Sequence, residues 1–275
     1  MAIVRLAVIG SPVVHSLSPV MHNAVFDHLG MEATYGALEV RPEDFRATVE
    51  SMRRSDYLGL SVTMPHKDAA FDVADESSVH ARRVGAVNTL SFLDGRIVGD
   101  STDGIGCVRA LGRHGIGVEG TRCVVLGAGG AARSVIVALE EARAREVVVV
   151  NRTYDKALVA IEGVDRCRVG TEGDVAGADV VVNCTSVGMG TAESPVVRES
   201  LHGVGCVLDA VYFPLRTALL DAAVAEGALG IDGLWMLVYQ AVEQQRIWFH
   251  HDVDPSIMRD AAVAELARRG NDPTL

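Results

Sequence analysis

The sequence predicts an α/β protein of two domains, and three observations predict it. Short β-branched or apolar runs recur at 3–9, 34–40, 57–64, 121–126, 146–150, 179–183 and 206–211, separated by helical or loop stretches. That is the pattern of buried parallel strands joined by crossover helices. A chain of 275 residues is also at the size where one hydrophobic core stops growing and a second begins. Finally, the pattern changes near Asp103, where a hairpin gives way to a strand, a glycine loop and a helix.

The elements follow in order. Residues 3–9 read as a strand that stops at Gly10, and 19–29 have helical spacing. A second strand spans 34–40; a helix over 42–54 then opens on Pro42 and carries Glu43 and Asp44 in its first turn, which suits the helix dipole. A third strand, 57–64, ends at Pro65, and a short helix follows. Residues 86–92 and 96–101 flank Leu93-Asp94-Gly95 as a hairpin. The second half has strands at 121–126, 146–150, 179–183 and 206–211, a helix at 131–142, and helices at 233–249 and 255–269.

Composition narrows the function. A formal net charge of −11 argues against nucleic acid or a membrane surface as partner, since both are polyanions. No apolar run reaches the roughly 18 residues that span a bilayer, and residues 1–10 lack the apolar stretch of a signal peptide. The cysteines Cys107, Cys123, Cys167, Cys184 and Cys206 form no CxxC pair. An odd, scattered set implies reduced thiols and a cytoplasmic protein.

The strongest single motif is Val124-Val125-Leu126-Gly127-Ala128-Gly129-Gly130-Ala131-Ala132-Arg133, which leaves a strand and opens a helix. Gly127 allows the tight turn, Gly129 lets the backbone approach a pyrophosphate, and Ala132 permits close helix–strand packing. Free N–H groups at the helix start, around Gly130 and Ala131, attract phosphate. This is a Rossmann-like dinucleotide site. The next strand identifies the nucleotide. An NAD site places a carboxylate about 20 residues on; here the strand ends in Asn151-Arg152-Thr153, with Lys156 nearby. Arg152 can grip a 2′-phosphate and stack on adenine, Thr153 can donate a hydroxyl, and Lys156 adds positive charge. NADP is therefore expected, with Asp155 in the same loop weighing against it.

Three polar clusters in the first half sit at strand ends or loops. Ser16-Leu17-Ser18-Pro19, followed by His22-Asn23, offers two hydroxyls to one carboxylate, or a helix cap with a spare serine. In Ser61-Val62-Thr63-Met64-Pro65-His66-Lys67, alternation puts Ser61 and Thr63 on one face, and Lys67 follows as a site amine or an ordinary solvated lysine. The third cluster is Asn88-Thr89 with Asp100-Ser101-Thr102-Asp103-Gly104, where Asp103 is a site carboxylate or a helix cap.

Together these stretches resemble the shikimate dehydrogenase family. The match runs through the three clusters, Gly85-Ala86-Val87-Asn88-Thr89, the glycine loop, Asn151-Arg152-Thr153, Asp209-Ala210-Val211-Tyr212, and Asp232-Gly233-Leu234 on to Gln240, in the family's order. The resemblance implies that Lys67 and Asp103 are the catalytic pair. It implies that Ser16 and Ser18 clamp a carboxylate with help from Tyr212, and that Thr63, Asn88 and Gln240 bind ring hydroxyls. Gly233, the Ala210 backbone and the loop Thr185-Ser186-Val187-Gly188-Met189 would face the nicotinamide. It also implies that the C-terminal helices return to the first domain, so that residues 1–103 with 233–275 form the substrate domain and 104–232 the NADP domain, with the catalytic cleft between them.

The chemistry implied is reversible reduction of 3-dehydroshikimate to shikimate. A ring ketone needs a hydride from the nicotinamide and a proton for the new alkoxide; Lys67 would carry that proton and Asp103 would orient it. No metal is expected, because no His/Cys/Asp cluster has ligand spacing, and adjacent His250 and His251 would not share a helix face. The expected partners are small molecules, the chain being a monomer or homodimer. Ser61 and Ser101 stand where many members have Asn, and Lys156 where many have Arg. Those serines mark where a quinate/shikimate or aminoshikimate dehydrogenase would differ. A non-catalytic nucleotide sensor is a further alternative, against which the intact Lys67 and Asp103 argue.

Overall fold

The structure is a computed structural model that describes residues 3–270. The chain forms two compact units: the residues up to Thr102 with Ala241–Gly270, and Asp103–Gln240.

The first unit begins with β1 (Val4–Gly10), α1 (Ser18–Leu29), β2 (Ala33–Glu39) and α2 (Phe45–Met52). It continues through β3 (Tyr57–Val62), α3 (Lys67–Val73), β4 (Glu76–Ser77), α4 (Val79–Val84), β5 (Thr89–Leu93) and β6 (Arg96–Asp100). The strands form one six-stranded sheet of order β2-β1-β3-β5-β6-β4. β1 pairs in parallel with β2 and β3, whereas the hairpin β5–β6 is antiparallel and joins β3 through Ser61 opposite Thr89. Alternation explains why both faces are apolar. Ala7 and Ile9 of β1 enter a core with Phe45, Val49, Leu60, Leu90 and Ile97, while Leu6 and Val8 enter another with Phe26, Tyr35 and Trp248.

The second unit opens with α5 (Asp103–Arg113), β7 (Arg122–Leu126), α6 (Gly130–Glu141), β8 (Glu146–Val150) and α7 (Tyr154–Ala160). Then come β9 (Cys167–Val169), β10 (Val180–Asn183), β11 (Cys206–Asp209), α8 (Ala218–Ala225) and β12 (Leu229–Ile231). Its six strands are all parallel, in the order β12-β11-β10-β7-β8-β9. The chain runs from β7 outward to β8 and β9, then returns to β10 on the other side of β7. That reversal is the switch point where open α/β sheets bind ligands, and the glycine loop leaves β7 there.

Helices α9 (Gly233–Phe249) and α10 (Pro255–Arg268) close the described chain. Here the structure differs from the expected division, which gave everything from Gly233 onward to the first domain. The division falls inside α9, after Gln240. The reason is packing: Met236 and Tyr239 belong to the second unit's core, whereas Trp248 belongs to the first unit's. At the other junction, Asp103 starts α5 and groups with the second unit.

Some elements end earlier than the sequence pattern implies. The apolar run 206–211 stops being strand at Asp209, whose carboxylate accepts the Val211 N–H at 3.1 Å and turns the chain. The helix expected from Pro42 opens as a 3₁₀ turn, Pro42–Asp44, before α2.

Candidate functional site

In the first unit, the expected site residues gather at one end of the sheet. Ile9 lies opposite Val62, Ser61 opposite Thr89, and Thr89 opposite Asp100, so β1 and β3 end where β5 begins and β6 ends. Thr63, Lys67, Asn88 and Thr102 follow just beyond that line. Backbone bonds hold them in place: Thr63 N donates to Ile9 O at 2.9 Å, Val62 N to Asn88 O at 2.7 Å, and Val87 N to Lys67 O at 3.0 Å. Lys67 is the first residue of α3 and is half-buried. The loop after β1 joins the same edge, with Ser11 N donating to Met64 O at 3.0 Å.

Ser18 does not cap α1; Leu17 holds the cap position, with no side-chain cap bond. Instead the buried Ser18 hydroxyl bonds the Tyr35 phenol, which burial pushes above its ordinary value despite that bond and a second one with Ser61. Ser16 Oγ accepts the Ser18 N–H at 3.2 Å. Asn23 is structural: its amide brackets the Tyr35 backbone with two bonds of 2.9 Å, tying α1 to β2. His22 stacks on Tyr35 with ring centroids 4.2 Å apart.

Asn88 is only 3% exposed, and its amide orientation is determined. Its Oδ1 accepts the Thr102 N–H at 2.8 Å, and its Nδ2 donates to Thr102 Oγ1 at 3.0 Å. A backbone N–H can only donate, so the atom facing it is the oxygen. Ser61 is turned into the fold: its hydroxyl accepts from Tyr35 at 2.5 Å and donates to Gln244 Oε1 at 2.8 Å. Tyr35 and Gln244 were not expected in the site, and Thr89 was named with Asn88 but given no role of its own. Gln244 lies four residues after Gln240, on the same helical face, a spacing that would have signalled it.

In the second unit, Gly127 adopts φ +112°, a conformation that disfavours any side chain, and its N–H donates to Val150 O at 2.9 Å. Gly129 is exposed, and a Cβ there would meet nothing within 4 Å. It precedes α6 with no side-chain cap, the arrangement in which the first N–H groups of a helix can receive an anion. At the end of β8, Asn151 Nδ2 donates to Thr153 O at 2.8 Å and shapes the loop that carries Arg152. Arg152, Thr153 and Lys156 are all exposed, as is Asp155.

The segments expected to face the nicotinamide are built around buried Asp209. Its carboxylate accepts from Asn183 Nδ2 at 2.8 Å, Thr217 Oγ1 at 2.6 Å and Val211 N at 3.1 Å. Burial raises its carboxyl above the ordinary range, and these three donors oppose that shift. Asn183 Oδ1 in turn accepts the N–H and hydroxyl of Thr185 at 3.0 and 2.8 Å. One carboxylate thus anchors both the Thr185–Met189 loop and the turn carrying Ala210 and half-buried Tyr212. Gly233 sits against the latter: a Cβ there would lie 2.5 Å from the Ala210 and Asp209 carbonyls, so only glycine fits. A Cβ on Gly106 would lie 2.9 Å from Gln240 N, so α5 and α9 approach closely behind Asp103 and Gln240. Asp103 and Gln240 are both buried, and Gln240 Nε2 donates to Leu237 O at 3.0 Å.

The Cys107, Cys123 and Cys206 thiols are not nucleophiles in waiting: burial raises all three, Cys123 to about 11 and Cys206 to about 12. Among the described residues, no group of three or more His, Cys, Asp or Glu is placed to hold a metal ion, and no helix is long and apolar enough to cross a membrane.

Comparison with known proteins covers both units. A family model described as the shikimate dehydrogenase substrate binding domain matches residues 8–90. One for shikimate / quinate 5-dehydrogenase matches 110–200, and one for the shikimate 5′-dehydrogenase C-terminal domain matches 233–263. A shikimate dehydrogenase (NADP(+)) of Thermococcus kodakarensis is 44% identical over 270 residues, 94% of this chain and 96% of that protein. The namesake protein of Pyrococcus furiosus is 42% identical over 270 residues, 95% of this chain and 96% of that protein. Among solved structures, the shikimate 5-dehydrogenase of Thermus thermophilus in complex with NADP(H) and shikimate superposes with a TM-score of 0.89 at 39% identity, covering 94% of this chain and 98% of that one.

Proposed function

The chain belongs to the shikimate dehydrogenase family, and from that premise we propose that it interconverts 3-dehydroshikimate and shikimate with NADP(H), a step of aromatic amino-acid biosynthesis, in the cytoplasm. The observation that carries the reading is the gathering of Ser16, Ser18, Thr63, Lys67 and Asn88 at one sheet end. Hydroxyls, an amide and an ammonium in one place suit a small carboxylate that bears several ring hydroxyls.

The residues present fit the dinucleotide. Gly127, Ala128, Gly129, Gly130 and Ala131 offer an open backbone to a pyrophosphate. Asn151, Arg152, Thr153 and Lys156 offer donors and positive charge to a 2′-phosphate, with no carboxylate at the end of β8. Ala210 and Gly233 would border the nicotinamide. When bound, NADPH supplies the hydride.

In this reading, Ser16, Ser18 and Tyr212 hold the substrate carboxylate, and Thr63, Asn88 and Gln240 hold ring hydroxyls. In reduction Lys67 gives its proton to the new alkoxide; in oxidation it takes the hydroxyl proton. Asp103 bonds the same hydroxyl and orients the ammonium. The partners are small molecules, and the chain acts as a monomer or homodimer.

Steady-state kinetics on shikimate and quinate, each with NADP and NAD, test the assignment. The highest kcat/KM is expected for shikimate with NADP; preference for quinate, or for NAD, would overturn it. In the same assay Arg152→Ala should raise the KM for NADP about tenfold or more, the worth of a charge-assisted contact, and that for NAD much less. Equal effects on both would remove Arg152 from the phosphate site.

A further inference from the structure

A single-file relay of hydrogen bonds crosses the core of the first unit and ends on Asn88. Tyr35 Oη donates to Ser61 Oγ at 2.5 Å, and Ser61 donates to Gln244 Oε1 at 2.8 Å. Gln244 Nε2 donates to Thr89 Oγ1 at 3.0 Å, and Thr89 donates to Asn88 Oδ1 at 2.9 Å. Tyr35, Ser61, Thr89, Gln244 and Asn88 are all buried, none more than 5% exposed. Each hydroxyl has one proton and each passes it the same way, so the directions are interdependent. Gln244 also reaches the Asn88 carbonyl at 3.4 Å.

We infer that Gln244 is a positioning residue for substrate recognition, acting through Thr89 on Asn88. This rests on the reading of Asn88 as a ligand for a ring hydroxyl. Gln244 is the one link able both to accept from Ser61 and to donate to Thr89 with atoms of fixed role. A hydroxyl can rotate, whereas an amide has one acceptor end and one donor end. Because Gln244 donates to Thr89 Oγ1, the Thr89 proton is directed at Asn88 Oδ1. Together with the Thr102 N–H, that proton commits the Asn88 oxygen to the interior. The amide nitrogen is then the end with which Asn88 addresses a substrate oxygen. Asn88 presents a donor, and it favours a ring oxygen that accepts. The serine at position 61 belongs to this arrangement: its short side chain leaves its hydroxyl between Tyr35 and Gln244.

The test is kinetic and uses the whole chain. Gln244→Met keeps the length of the side chain but ends the relay; Thr89→Val removes only the hydroxyl; Thr89→Ser restores it. Gln244→Met and Thr89→Val should each raise the KM for shikimate about five- to tenfold, the worth of one hydrogen bond, and leave the KM for NADP unchanged. Their double variant should be no worse than either single one, because both cut the same relay. Thr89→Ser should stay near the unaltered protein. Asn88→Ala is the control for the underlying reading. If it raises the shikimate KM while Gln244→Met and Thr89→Val do not, the relay has no role in recognition. If Asn88→Ala itself leaves that KM unchanged, the assignment of Asn88 as a ligand fails instead. Should Gln244→Met not fold, Thr89→Val and Thr89→Ser decide the matter by themselves.

Discussion

Lys67→Ala is expected to lower turnover of shikimate by about 100-fold or more, the usual scale of a lost general acid–base group. The fold should survive. The Lys67 carbonyl, which accepts the Val87 N–H at 3.0 Å, is untouched by the substitution. Its side chain is absent from the apolar core beneath α3, which uses Ala70 and Val73. Alanine at the start of a helix is also well tolerated. Turnover falls because the carbinol proton must then be lost to water instead of to Lys67. The change should appear in kcat rather than in the KM for NADP, and the circular dichroism spectrum should stay unaltered. Near-normal turnover would mean that another group carries the proton. Lys67 is a cleaner probe than Asp103, which is the first residue of α5 and interacts with that helix's dipole as well.

The second large effect is on stability in acid. Burial pulls the His22 imidazole from 6.5 down to about 3, opposed by an amide hydrogen bond. Its ring stacks on Tyr35, its Nδ1 lies 2.7 Å from Gln245 Nε2, and its Nε2 has no hydrogen-bond partner among the described residues. A proton on this ring would be buried, and the one opposing amide hydrogen bond is too weak to offset that burial. Above pH 6.5 the imidazole is neutral in both folded and unfolded chains, and its stabilising contribution is fully present. Between 6.5 and about 3 the unfolded chain takes up a proton that the folded chain refuses, so stability is lost as pH falls. The slope is about 1.4 kcal/mol per pH unit, so this one group removes roughly 2 kcal/mol by pH 5 and about 4 kcal/mol by pH 3. Urea unfolding at pH 7.5 and pH 5 measures it. His22→Phe keeps the stacking but cannot be protonated, and its stability should fall less over that interval by about 2 kcal/mol. Parallel losses in the two proteins would show that His22 is not the acid-sensitive group.

Much of this architecture is legible in the sequence because it rests on local patterns. The β-branched runs, the Gly127-Ala128-Gly129 loop and the polar strand-end clusters each carry their own signal. What escapes is of two kinds. Short elements such as β9, β12 and β4 have too few residues for a period to emerge, and they exist because neighbouring strands offer them a ladder. The other kind is long-range pairing of unremarkable residues. Nothing local marks Tyr35 as a partner of Ser61, or Gln244 as a partner of Thr89, 155 positions away. The shortened side chain at position 61 reads in sequence as a change in substrate contact; in the fold its hydroxyl is engaged by Tyr35 and Gln244 instead. The place of the division inside α9 escapes for a related reason. The onset of helical periodicity at Gly233 says where α9 starts, but only packing says that its first two turns belong with the second unit.

The central claim is that hydride passes between a ring carbinol of shikimate and the nicotinamide. Shikimate deuterated at the carbinol carbon that becomes the ketone, incubated with this protein and NADP⁺, tests it most directly. The account predicts that the deuterium is recovered on the nicotinamide ring of the reduced cofactor. Deuterium released to water, or ketone formed without reduction of the nucleotide, would contradict it.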